Sequence, residues 1–434
     1  MSNPVKCSFC KRPRNEVKNL IAASPEDGPF ICNRCVEMAN KELEAGARKG
    51  NFEQKAKEEP LKTPKEIKAY LDEYVIGQDK AKTDIAIAVY NHFKRRKAKE
   101  GKIEVDVVGP DGTSSKEEVE IDKSNIILLG PSGTGKTHIA RSIARMLNVP
   151  FFVGDATRLT QAGYVGDDVE TLLQGLIQEA QGDLQRAEWG IVFLDEIDKI
   201  ARKGGRDRAG YRDVSGEGVQ QSLLKLLEGS KVNVPRGGKA GMMTTYDTID
   251  TTNVLFIVAG SFAGIEPIIE QRINKGAKLG FGSQAREKID QTKTYLSVTE
   301  EDLLEFGIIP EMMGRLPVLT TTVELTEDDM IKVLTEPRNS IVKQFRALFQ
   351  MDNGIHLEFE TDALRAVARE AKKRPTGARA LRSIVELALR QIAYEVPNDT
   401  RGIERILVTE QTIKDGSAVY TFREEDKGTQ AKEA

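Results

Sequence analysis

The sequence predicts an α/β fold: a doubly wound parallel sheet, with a small cysteine-bearing module ahead of it and a smaller, mainly helical domain behind it. Three observations predict this. Apolar runs at 126–129, 151–153, 191–194 and 254–258 alternate with helical or polar stretches, the pattern of a parallel sheet buried on both faces. All four cysteines fall early in the chain, as two C-x2-C pairs. Beyond Pro317 helical periodicity takes over, across 326–336, 338–349, 361–373 and 378–396.

In chain order, Cys7, Cys10, Cys32 and Cys35 come first, with 21 residues between the two pairs. That is one residue longer than the usual zinc-ribbon spacing. Four thiolates suit a closed, tetrahedral Zn²⁺ site with no open position for catalysis, in a treble-clef or ribbon-like module. Disulfides are the alternative, and a reducing cytosol disfavours them. A module this small buries too little apolar surface to fold alone, so the metal supplies most of its stability. His92, His138 and His356 lie far from the cluster and are not needed as ligands.

Residues 41–62, rich in Lys, Glu, Ala and Gly, read as a tether. Helical spacing covers 66–97, with Ile85, Val89, His92 and Phe93 on one side. Ile103, Val105 and Val107 alternate with polar residues before Asp111-Gly112 and then Val119 and Ile121, which predicts a hairpin. In the C-terminal region Thr326 or Thr361 is placed to cap a helix, 405–408 suits one short strand, and the tail from Glu424 is polar.

Chemistry enters at the first core strand. Gly130-Pro131-Ser132-Gly133-Thr134-Gly135-Lys136-Thr137 follows Ile126–Leu129 and opens a segment with Ile139, Ile143, Ala144 and Leu147 at helical spacing. A strand, a glycine-rich loop and a helix in that order form a P-loop. Backbone N–H groups curl round phosphates there, and the helix N-terminus adds positive partial charge. Lys136 is placed for the β/γ-phosphates and the Thr137 hydroxyl for Mg²⁺. A second apolar run ends in Asp195-Glu196. Strand ends of open α/β sheets point into the ligand crevice. Asp195 can complete the Mg²⁺ shell, largely through water, and Glu196 can orient and deprotonate an attacking water. Together the two motifs predict nucleotide hydrolysis.

The chain has 434 residues, 64 basic against 67 acidic, for a net charge of −3. No global basic field points to nucleic acid. No apolar signal region opens the sequence and no run approaches a membrane span, so it reads as cytoplasmic, with no membrane partner.

Further motifs accompany these in a fixed order: Tyr74-Val75-Ile76-Gly77-Gln78, Gly163-Tyr164-Val165-Gly166, Leu194 to Lys199, Asp213 to Gln221, Pro310-Glu311, Gly314-Arg315-Leu316-Pro317 and Gly377-Ala378-Arg379. With the cysteines and the P-loop, the sequence resembles the ClpX family of AAA+ protein-unfolding ATPases over nearly its whole length. The resemblance implies a homo-hexameric ring using ATP, Mg²⁺ and Zn²⁺, with ATP bound between subunits. It implies a nucleotide site formed by Val75, Ile76 and Gly77 at the adenine and by Gly130 through Lys136, Thr137 and His138 at the phosphates. Arg315 resembles the arginine finger that reaches a neighbour's γ-phosphate, and Arg379 the sensor-2 arginine. Tyr164 and Val165 resemble a pore loop that grips polypeptide, although a turn tucking Tyr164 into the core is the bland alternative. Residues 204–208 match a second axial loop.

Two stretches depart from the family pattern. Where the family often carries Arg-Lys-His, residues 234–242 keep only Arg236 and Lys239 as positive charges, which leaves tag preference open. The usual Ile-Gly-Phe peptidase-docking tripeptide reads Leu279-Gly280-Phe281, with apolar volume preserved. The implied division is a zinc module over 1–45, a linker over 46–62, an ATPase domain over 63–322, a small helical domain over 323–424 and a tail over 425–434. The implied activity is ATP-dependent unfolding and translocation of tagged proteins, with adaptors, into a ClpP-type peptidase. A zinc-ribbon DNA-associated ATPase is the competing function, and near-neutral charge speaks against it. A complete ATP-dependent protease is a third reading, against which the region after residue 317 reads as the helical domain and leaves no segment expected to form a peptidase.

Overall fold

The computed structural model describes residues 5–22, 29–40, 61–97, 102–108, 114–160, 168–202, 216–236, 246–277, 291–352, 354–374, 376–398 and 402–422. The Tyr164 and Val165 loop, the 204–208 loop, most of the linker, residues 213–215 and 237–242, the Leu279-Gly280-Phe281 tripeptide and the tail lie outside these.

The cysteine module is a small hairpin, β1 (Leu20–Ala22) against β2 (Phe30–Cys32), followed by a helical stretch at 33–40. The expected helical stretch at 66–97 is two helices, α1 (Pro64–Asp72) and α2 (Asp79–Lys97). Thr63 caps the first through a capping box with Glu66, and Pro64 sits where a missing N–H costs nothing. The break is forced by positive φ at Gly77 (65°) and Gln78 (60°), which no continuing helix tolerates. The hairpin follows, as β3 (Lys102–Val108) paired antiparallel with β4 (Ser114–Glu120).

The central sheet contains β5 (Ile126–Leu129), β6 (Phe151–Asp155) and β7 (Ile191–Asp195), separated by α3 (Lys136–Leu147) and α4 (Thr171–Glu179). After α5 (Glu217–Glu228) comes a second hairpin, β8 (Lys231–Pro235) with β9 (Tyr246–Asp250), then β10 (Leu255–Gly260), α6 (Glu266–Ala277) and β11 (Val318–Thr321). The strand order is β11-β5-β10-β7-β6, and every pairing is parallel. Alternate residues of each apolar run leave on opposite faces. Ile126, Leu128, Ile191, Phe193, Leu255 and Ile257 pack under α1, α2 and α3. Ile127, Leu129, Val192, Leu194, Phe256 and Val258 pack under α4 and α5. Two-sided burial is why these strands read as unbroken apolar stretches. No apolar run marks the strand β11, because its Thr320 and Thr321, and Thr322 just beyond it, hide it from hydropathy although all three are buried.

The C-terminal region has its own hydrophobic cluster, from Leu325 to Val408. It contains α7 (Glu327–Thr335), α8 (Ile341–Met351), α9 (Thr361–Lys373) and α10 (Ala380–Glu395). Thr326 caps α7 through a box with Asp329, as expected. Thr361 instead is the first helical residue of α9, preceded by Glu360 in extended conformation. The single strand expected at 405–408 is Ile403–Val408, the centre of a three-stranded sheet with His356–Phe359 and Val419–Phe422. Its two partners are four residues each, too short for a periodicity signal.

Candidate functional site

The P-loop leaves β5 with three glycines at positive φ, Gly130 at 140°, Gly133 at 83° and Gly135 at 97°. At Gly130 the restriction is also steric, since a Cβ would stand 2.2 Å from Thr322 Oγ1. At Gly135 a Cβ would meet nothing within 4 Å, so the constraint there is backbone conformation alone and the space above the loop stays open. The first-turn N–H groups of α3, which have no intrahelical partner, point into that space. These features fit a phosphate.

Lys136 is buried, and its Nζ donates to the carbonyls of Gly130 (2.5 Å) and Pro131 (2.9 Å). Burial pushes its ammonium down to about 8, with Asp195 and Asp198 opposing and Arg379 adding to the fall. A cation so placed lacks a full counter-charge, which a bound anion supplies. Thr137 Oγ1 donates to Asp195 Oδ2 at 3.4 Å, so the two expected Mg²⁺ holders meet although 58 residues separate them. A hydroxyl and a carboxylate are the hard oxygen donors Mg²⁺ takes. Glu196 follows at φ 58° and ψ 33°, a left-handed conformation for a non-glycine residue, with its side chain exposed. Such outliers cost about 1–3 kcal/mol and persist where the surroundings over-determine them. Its N–H donates to Asp195 Oδ1 at 3.0 Å.

Beside the P-loop lies a cavity of about 330 Å³. Val75, Ile76 and His138 line it together with Gly133 through Thr137, and Arg379 closes it from the start of α10. The apolar floor beyond comes from Leu325, Val333 and Ile341, so this cleft is shared between the sheet and the C-terminal cluster. Arg315 does not line this cavity. It is half-exposed, and its guanidinium pairs with Glu228 at 3.0 Å.

Three buried polar residues to which the sequence assigns no role hold this geometry. Gln78 binds the Val323 backbone on both sides, donating to its C=O at 2.8 Å and accepting its N–H at 2.9 Å. This ties the α1–α2 break, and with it Val75 and Ile76, to the junction after β11. Asn125 accepts from the Phe256 N–H and donates to the carbonyls of Leu227 and Arg315, fixing the start of the Arg315 turn against the sheet. Thr322 shares a hydrogen bond of 2.6 Å with Thr134. Gln78 closes the Tyr74 to Gln78 motif and Asn125 directly precedes the first core strand, and those positions were their only signals in the sequence.

In the N-terminal module the four Sγ atoms lie within 4.8 Å of one another, with Cys7–Cys35 at 3.8 Å and Cys10–Cys32 at 3.6 Å. A tetrahedron with Zn–S of about 2.3 Å requires Sγ–Sγ near 3.8 Å. The thiols are free, which removes the disulfide alternative. Burial raises Cys7, but N–H groups of Cys10, Cys32 and Phe9 outweigh it and bring the thiol down to about 6. At Cys35 burial and the neighbouring thiols push the group up to about 12. Four thiolates this close need a dication to coexist. Chelation is therefore expected to release about one Zn²⁺ per chain and unfold only this module. An indicator dye and circular dichroism together check this; loss of the whole helical signal would contradict it.

A P-loop at the first strand of a parallel sheet, an acidic pair two strands away and a small C-terminal unit closing the nucleotide cleft define an AAA+ ATPase. Residues 121–319 match the family model for the AAA domain (Cdc48 subfamily), 5–45 that for the ClpX C4-type zinc finger, and 325–397 that for the C-terminal, D2-small domain, of ClpB protein. The ATP-dependent Clp protease ATP-binding subunit ClpX of Treponema denticola is 42% identical over 421 residues, which covers 96% of each chain. The chain belongs to the ClpX family. Its cofactors are ATP with Mg²⁺ at the P-loop and Zn²⁺ at the cysteines. Among the described residues no helix is long and apolar enough to cross a membrane.

Proposed function

We propose that the chain is a cytoplasmic, ATP-driven protein unfoldase and translocase that works as a homo-hexamer and delivers substrates to a ClpP-type peptidase. The meeting of Thr137 and Asp195 beside the P-loop carries this reading, in a chain so close to a Clp ATPase subunit. When bound, Mg²⁺ supplies charge neutralisation across the phosphate oxygens. Lys136 and the P-loop N–H groups hold the phosphates, while Thr137 and Asp195 hold the metal. Glu196 orients the attacking water and accepts its proton. Arg379, at the foot of α10, answers to the nucleotide from the C-terminal unit, and Arg315 serves the neighbouring subunit's site. The division into a zinc module (1–45), linker (46–62), ATPase domain (63–322), small domain (323–424) and tail (425–434) belongs to the same proposal. The separate hydrophobic clusters on either side of residue 325 support it.

Tyr164 and Val165 grip polypeptide in the ring's pore, and Leu279-Gly280-Phe281 docks the peptidase. The zinc module recruits substrates and adaptors. The test is ATP-dependent loss of fluorescence from a tagged, stably folded reporter. Tyr164→Ala is expected to keep ATP hydrolysis while slowing unfolding at least about tenfold, the factor that 1.4 kcal/mol of lost contact represents. Unchanged unfolding would return Tyr164 to the buried-turn alternative.

A further inference from the structure

The Leu194-Asp195-Glu196-Ile197-Asp198-Lys199 motif contains one carboxylate that the chemistry above does not use. Asp198 is buried, with its side chain only 3% exposed. It lies in the single 3₁₀ turn Ile197–Ile200 that begins directly after Glu196. Its two oxygens reach across to the end of β10. Oδ1 accepts the N–H of Ser261 and Oδ2 accepts the Ser261 hydroxyl, both at 3.1 Å. Lys199 Nζ, also 3.1 Å from Oδ2, supplies a partly exposed counter-charge.

Ser261 is itself held from other sides. Its carbonyl accepts from the Tyr295 hydroxyl at 3.2 Å, and that hydroxyl also lies 3.0 Å from Glu266 Oε1. The preceding Gly260 carbonyl accepts the N–H of Gly130, the first residue of the P-loop, at 3.2 Å. Phe262, next along, is fully buried at φ 50°, so this corner does not relax freely. Gly260 leaves room for the carboxylate: a Cβ there would stand 2.5 Å from Asp198 Oδ1. One buried carboxylate thus joins the turn bearing Glu196 to the corner that is also tied to the P-loop.

We propose that Asp198 is a positioning residue for ATP hydrolysis, fixing where the Glu196 carboxylate stands relative to the P-loop through its paired hydrogen bonds to Ser261. Among the described residues the exposed Glu196 side chain makes no hydrogen bond that would hold its direction. The clamp on the next turn supplies that hold. The proposal rests on Glu196 being the general base.

A double-mutant cycle in the full-length protein tests it. ATP turnover and affinity for a fluorescent ATP analogue are measured for Asp198→Asn, Glu196→Gln and the pair. Asn keeps the shape but must reverse the hydroxyl bond and loses the charge that pairs with Lys199, so kcat is expected to fall on the order of 10²-fold, the cost of a misplacement near 1 Å. Nucleotide affinity should be unchanged. In the Glu196→Gln background the same substitution should cost nothing further, because it acts through the carboxylate already removed. Equal losses in both backgrounds, a parallel fall in affinity, or wild-type kcat would overturn the proposal. Near-normal turnover of Glu196→Gln alone would instead overturn the general-base assignment, whatever Asp198 does. Ser261→Ala and Ser261→Thr decide the matter if Asp198→Asn does not fold. The first is expected to lower kcat and the second, which keeps the hydroxyl, to restore it; wild-type kcat in Ser261→Ala refutes the clamp.

Discussion

Glu196→Gln is expected to bind ATP as tightly as the parent protein and to hydrolyse it about 10²–10⁴-fold more slowly, the usual worth of a positioned general base. Affinity should survive because Glu196 lines neither wall of the nucleotide cavity, which is built from the P-loop, the α1–α2 break and the C-terminal unit. Backbone geometry should survive as well. Gln has the same length, and the left-handed conformation is imposed by the Asp195 contact and the following 3₁₀ turn rather than by the carboxylate. What disappears is the exposed carboxylate that directly follows Asp195 at the strand end. Single-turnover phosphate release together with nucleotide titration checks this. Fast release would remove Glu196 from the mechanism, and weak binding would show that it belongs to the cradle.

Arg315→Ala is expected to lower turnover on the order of 10³-fold, as losing a transferred arginine does in phosphoryl transfer. The change should hardly affect folding. The pair it breaks, with Glu228, is about half exposed on both sides, and such pairs contribute only about 0–1 kcal/mol. Because Arg315 stands outside its own subunit's cavity, its effect should be felt across an interface. Rings made only of Arg315→Ala, or only of Glu196→Gln, should be inactive. Equimolar mixing should restore an intact Glu196–Arg315 pair at about a quarter of the head-to-tail interfaces, and hydrolysis in proportion. If subunits exchange and no activity returns, Arg315 does not act in trans.

The chemistry was largely legible before the fold. Cys7 to Cys35, Gly130 to Thr137 and Asp195-Glu196 are contiguous motifs whose residue types have few other uses at those spacings. Of the four strands that read as apolar runs, β5, β7 and β10 were legible for a related reason, since burial on both faces leaves no polar alternation, whereas β6 lies at the sheet edge and is only partly buried. The strand β11 was not, because buried threonines resemble a loop in sequence and become a strand only beside β5. The helix break at residue 77 did leave a local mark, since Tyr74-Val75-Ile76-Gly77 are poor helix formers, but helical spacing on either side of it hides where one helix ends and the next begins. What holds it in place is distant: Gln78 finds its partners at Val323, 245 residues away.

The same distinction runs through the site. Local sequence sets whatever depends on a residue's neighbours in the chain: the left-handed glycines of the P-loop, the Thr63 and Thr326 caps, and the two C-x2-C spacings. Tertiary packing sets whatever requires remote groups at bonding distance. Thr137 meets Asp195, Thr134 meets Thr322, and Asp198 grips Ser261 only once β5, β7, β10 and β11 lie side by side. A hydrogen bond requires placement to within a few tenths of an ångström, and a chain of separate motifs carries no such distances until a common core has aligned its strands.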